Sequence, residues 1–132
     1  MTAAADPPRP DAEAIRGWAK HRLDDRSGTH VGRVEGLYTD ERTGEPAWLV
    51  ARMGRIGHYA VIPASDAVEG AAHVWVPFTR EQIRRAPRID RDAPLTVATE
   101  REVLTHYELG APAGRMAALA GLGEDEVSAR RL

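Results

Sequence analysis

Five histidines, His21, His30, His58, His73 and His106, are the first side chains to weigh for metal binding or proton transfer. No two of them stand four residues apart on one helical face, and the chain has no cysteine, so the thiolate zinc sets are excluded. His58 and His73 would converge only if the strands that carry them pair. Ser27, Ser65 and Ser128 fall in turns or near the end of the chain, and none sits in the Gly-x-Ser-x-Gly setting that exposes a nucleophile. Gly54-Arg55-Ile56-Gly57 lacks the third glycine and the Lys-Ser/Thr of a phosphate loop and reads as a hairpin turn. Asp90 and Asp92 alternate, but neither the glycine turn nor the bidentate glutamate of a calcium loop follows. These residues predict no catalytic group, no metal and no cofactor; the expectation is a protein that is not an enzyme.

What remains is recognition chemistry. Arg80, Arg84, Arg85, Arg88 and Arg91 are the one local concentration of positive charge, with Glu81, Asp90 and Asp92 interleaved and Trp75 and Phe78 just upstream. Arginine beside an aromatic suits either a protein interface or an RNA strand. The interaction candidates are Trp48, Trp75, Phe78, Arg84, Arg85, Arg88 and Tyr107. The Arg80–Arg91 cluster reads first as a solvated face paired to its acids, next as part of a protein-docking face, and last as an RNA or ribosome contact through Arg84, Arg85 and Arg88. Nucleic acid is therefore not the expected partner. The net charge of -2 gives no bulk attraction to polyanions, so docking to protein is the leading reading.

The elements that must position these residues are short strands. Val31 to Tyr38 is a first run, with a change of apolar phase at Gly36 that predicts a bulge or sharp bend. It stops at the turn-forming Asp40 to Pro46. Pro46 to Met53 alternates Ala47, Leu49, Ala51 and Met53 against Trp48, Val50 and Arg52. Tyr59 to Pro63 and His73 to Phe78 supply two more strands, and a short one is expected around His21 to Leu23. If Leu49 and Val76 point inward, Trp48 and Trp75 point outward, to be covered by a helix or by another chain. Thr79 caps a short helical turn stopped by Pro87. Thr96 to Leu109 reads as an amphipathic helix in which Thr99 to Glu102 matches a capping box and Val103, Leu104 and Tyr107 share a face; Gly110 and Pro112 end it.

Length and composition set the frame. The 132 residues make one domain, with a tail at residues 1–13, a core at 14–109, and a weakly helical or disordered tail at 110–132. Hydrophobic residues are 42% and charged residues 29%, as in a soluble globular protein. The first residues lack the apolar region of a signal peptide, and no run is long enough to span a bilayer, so cytoplasm without membrane insertion is expected. Lys20 is the single lysine beside 17 arginines, which reads as genomic GC bias. Five short strands joined by small turns predict a mainly β fold, a small, partly closed antiparallel barrel followed by a C-terminal helix.

Residues Arg22 to Tyr107 resemble the PRC-barrel family, in which the photosynthetic reaction-centre H subunit and the C-terminal part of the ribosome maturation factor share a fold. The resemblance is carried by Val31-Gly32-Arg33-Val34 entering a strand, the turn Asp40 to Trp48, the strand end Val76-Pro77-Phe78, and then Ile83 to Asp90 and Val103 to Tyr107. The arrangement is similar to stand-alone bacterial versions linked to general stress. The resemblance implies a strongly bent β-barrel acting as an assembly or docking module, without shared catalytic residues, and its open edges suggest a homodimer.

Overall fold

The computed structural model describes residues 11–55, 57–107 and 114–132. The protein is mainly β, and its strands form one open mixed sheet. In chain order the elements are α1 (Ala12–Arg16), β1 (Arg22–Asp24), β2 (His30–Asp40), β3 (Pro46–Met53), β4 (His58–Pro63), β5 (Val68–Gly70) and β6 (His73–Trp75). They continue with α2 (Arg80–Arg84), β7 (Leu95–Thr96), α3 (Val97–Tyr107), α4 (Arg115–Ala118) and β8 (Val127–Arg131). The main path is β4-β3-β2-β1-β6-β5, with β8 joining both β2 and β7. All pairings are antiparallel except β1 with β6, whose connection passes through the rest of the meander.

β2 is the strand on which the others turn. Its register against β3 slips between Val34 and Gly36 and again between Tyr38 and Thr39, and bulges of this kind bend a strand and raise its twist. The bend at Gly36 is therefore where the apolar phase change predicts it. The bent strand pairs with β1 near its start and with β8 at Tyr38 to Asp40. Gly36 has a second constraint, because a Cβ there would fall within 1.9 Å of the Arg131 guanidinium that crosses it from β8.

β3 spans the predicted Pro46 to Met53 but is not one-sided: every residue from Ala47 to Val50 is buried, as are Ala51 and Met53. Its second face is roofed by α3, which turns Val97, Glu100, Val103, Leu104 and Tyr107 inward at helical spacing. Thr79 caps α2 through its side chain, as expected, accepting from the Gln82 N–H at 3.1 Å. In α3 the capping hydroxyl belongs to Thr96, which accepts from the Thr99 N–H at 3.3 Å, so Thr99 lies inside the helix. The predicted end of this helix, at Leu109 to Pro112, lies outside the described residues.

Several elements differ from the sequence reading: β5 and β7 have no counterpart in it, and the strand expected over His73 to Phe78 stops at Trp75. α1 starts at Ala12, with the Asp11 side chain accepting from the Ala14 N–H at 2.8 Å. The final residues, expected as helical turns or disorder, form the short α4 and then β8. Ala129 and Ser128 are buried there, and their strand partners, β2 and β7, are distant in sequence. Among the described residues no helix is long and apolar enough to cross a membrane.

Candidate functional site

The aromatic candidates separate into core and surface. Of the two covers expected for Trp48, a helix or another chain, the structure supplies the helix: α3 lies over the indole, and the residue is 1% exposed. Its indole Nε1–H donates to Glu100 Oε1 at 2.8 Å, and its ring lies 6.3 Å from that of Tyr107. Tyr107 packs edge-on against Phe78 at 4.8 Å and donates its hydroxyl to the Val61 carbonyl at 2.7 Å, so both are core residues. Burial pushes the Tyr107 phenol well above its ordinary pKa. These three side chains offer no surface to a partner. Trp75 does, being half-buried on β6 with its ring tilted against His73 at 5.7 Å.

Around Trp48 the core contains a knot of charge. Glu100, fully buried on the apolar stripe of α3, receives two hydrogen bonds from Arg115, Nε to Oε1 at 2.6 Å and Nη2 to Oε2 at 2.9 Å. The Arg115 Nη1 donates to Asp40 Oδ2, and Nη2 also reaches the Ser128 carbonyl at 3.3 Å. Burial alone would raise the Asp40 carboxyl. The Arg115 guanidinium and the N–H groups of Thr43 and Arg42 outweigh it and hold the pKa down at about 2. Each charge is thus partnered, and the knot ties α3, α4, the end of β2 and β8 together. Its one sequence signal is a glutamate at a stripe position; nothing near Arg115 in sequence announces its partners.

The arginine cluster of the linear sequence is dispersed in space. Arg85 pairs with Glu81 at 3.0 Å and Arg84 approaches the same carboxylate at 3.9 Å. Arg91 lies over the Tyr59 ring, donates to its hydroxyl at 2.9 Å, and pairs with Asp92 at 3.5 Å. Arg84 and Arg88 together act on His58. Burial lowers its pKa, and the two guanidinium charges lower it further, favouring the neutral imidazole.

The remaining member, Arg80, faces a different set of arginines. The buried Asp25 carboxylate orients the turn between β1 and β2 by accepting from the N–H groups of Ser27 and Thr29. Beside this turn and the start of α2 lies an open groove of about 590 Å³, lined by Arg33, Arg52, Arg55 and Arg80 with Gly32 and Gly54. Arg33 and Arg52 are direct cross-strand partners, as are Arg22 and Arg33, so three arginines stand in register across β1, β2 and β3; Tyr59 on β4 is the next partner beyond Arg52. Gly32 allows this crowding, because a Cβ there would meet the Arg52 carbonyl oxygen at 2.2 Å. The sequence reading missed Arg33, Arg52 and Arg55, because only strand register brings them together.

Two of the histidines, His30 and His73, approach one carboxylate, that of Asp24. His58 and His73 sit on strands that do not pair. His73 and Arg22 both contact the buried Asp24, at 3.2 and 2.8 Å, with His30 at 3.6 Å. Burial of Asp24 opposes its ionisation, and the bonds from Arg22 and His73 more than offset that, lowering its pKa. His106 meets the Gln82 carbonyl at 2.6 Å. Among the described residues no group of three or more histidine and acidic side chains is arranged to hold a metal ion. Ser27 hydrogen-bonds to Asp25 at 2.8 Å and Ser128 points its hydroxyl at the Leu95 carbonyl at 3.5 Å, and neither touches a histidine in these contacts. No protein-family model and no curated protein matches the sequence.

Proposed function

We propose that this protein is a non-enzymatic interaction module of the PRC-barrel type that assembles by pairing with a second copy of itself. The observation that carries the reading is the free edge at β5. Among the described residues this strand pairs on one side only, with β6, and Val68 stands 62% exposed directly opposite the half-buried Trp75. Unpaired strand N–H and C=O groups beside an apolar patch are a template for another strand. A two-fold axis through β5 would satisfy both copies with one self-complementary contact. Of the other edges among the described residues, β7 is only two residues long, and β4 is a poorer candidate because Tyr107 already occupies the Val61 carbonyl, Pro63 ends the strand and α2 packs beside it. The bending of β2 around its two bulges, with β8 at its far end, supports closure of the sheet into a barrel.

Light scattering on the full chain tests the assembly. The wild type should elute with the mass of a dimer, and Val68→Asp, exposed and outside the core, should leave a folded monomer. A wild type that stays monomeric at high concentration would sink the proposal.

A further inference from the structure

We infer that the groove lined by Arg33, Arg52, Arg55 and Arg80 is a binding site for the phosphodiester backbone of single-stranded RNA. Among the described residues none of these four guanidinium groups is in an ion pair, and Arg33 donates only to a neutral acceptor, the Lys20 carbonyl at 3.0 Å. Other arginines also lack an ion pair, so it is their convergence on one groove that sets these four apart. Like charges placed directly opposite on paired strands repel, so the Arg33–Arg52 juxtaposition costs stability in the free protein. An anion between them removes that cost. Arginine's planar fork suits phosphate oxygens, which it can engage bidentately.

Shape selects the kind of anion. The site is an open groove that continues as a row across β1, β2, β3 and β4, from Arg22 through Arg33 and Arg52 to Tyr59. Four strands at roughly 4.8 Å spacing make it about 14 Å long, which suits a linear polyanion better than one isolated phosphate. At its end the half-buried Tyr59 ring and the Arg91 guanidinium above it offer planar groups of the kind on which bases stack. An acidic peptide is the poorer fit. Its affinity would need apolar anchors, and the one aliphatic side chain lining the groove, Val31, is buried.

The test is fluorescence anisotropy of a short labelled oligouridylate with the full chain across a salt series. Binding should weaken with salt with a log–log slope of roughly -3, from about 0.7 per phosphate neutralised at four contacts. Arg33→Gln and Arg52→Gln should each weaken binding and flatten that slope. Arg130→Gln removes the same charge from a residue paired with Glu41 and should leave both unchanged. The site assignment fails if Arg130→Gln weakens binding as much as Arg52→Gln, or if oligouridylate does not bind at low salt. It fails as a nucleic-acid site if oligoglutamate or inorganic polyphosphate competes while unlabelled oligouridylate does not. The monomeric Val68→Asp chain should retain binding, so loss of self-association and loss of RNA binding are separable results.

Discussion

Two arginine-centred regions of this molecule follow opposite rules. In the knot beneath α3, Arg115 is nearly buried, and Glu100, Asp40 and the Ser128 carbonyl take up its hydrogen bonds. On the outer face, Arg33 and Arg52 stand beside each other in solvent with no carboxylate paired to either among the described residues. Burial makes an unpartnered charge too costly to keep, so the knot had to be completed within the fold. Exposure lets the groove keep its charges unmatched, which leaves their fields available to a ligand. The contrast separates what holds this chain together from what it can offer to another molecule.

The largest expected effect comes from leaving half of the knot behind. Arg115→Ala would strand the Glu100 carboxylate in the core beside Trp48, and breaking a buried pair in this way costs about 3–5 kcal/mol. Chemical denaturation should show the loss as a lower midpoint. The double change Glu100→Leu with Arg115→Met removes both charges and should recover much of it. If the single variant is as stable as wild type, the knot does not hold the C-terminal strand, and the contrast with the groove collapses.

The strands that carry these regions were legible from sequence where their cues are local. β3 follows from alternation and a terminal proline, the bend of β2 from a phase change at Gly36, and the α2 cap from Thr79. β8 was not legible, because Val127 to Arg131 carries no strand signal until it lies against Leu95 and Tyr38 to Asp40. For Trp48 alternation separates the two faces of β3 but leaves open what covers the second one, and α3 folding over it supplies that cover. The site shows the same division. Arg80 to Arg91 forms a cluster along the chain but divides among Glu81, Asp92, Tyr59 and the groove, while Arg33 and Arg52 become neighbours only through register.

A smaller effect sharpens the comparison through pH. Asp40 has a depressed pKa in the folded protein, about 2 against 3.8 for the unperturbed group, so its contribution is fully present above about pH 4. As pH falls toward 2 the carboxyl protonates, its bond to Arg115 weakens, and that stability is lost. After allowance for solvent screening the loss is about 1 kcal/mol. Asp40→Asn should be less stable than wild type at pH 7, and the two should converge near pH 2. A difference between them that does not change with pH would mean that Arg115 does not depend on the Asp40 charge.

The smallest effect has the opposite sign and belongs to the groove. Arg52→Gln keeps much of the side chain's reach but removes a charge that faces Arg33 across the β2–β3 pair. Unlike any change in the knot, it should leave the free protein as stable as wild type or more stable, by a few tenths of a kcal/mol. The gain should shrink as salt is added, because the repulsion it relieves is between exposed charges and is screened over about 10 Å at 0.1 M. Thermal melts of the two proteins at low and high salt measure this directly. If Arg52→Gln is destabilised by as much as a partnered charge would be, then Arg52 is held by a contact within the fold, and the groove is structural in the same sense as the knot.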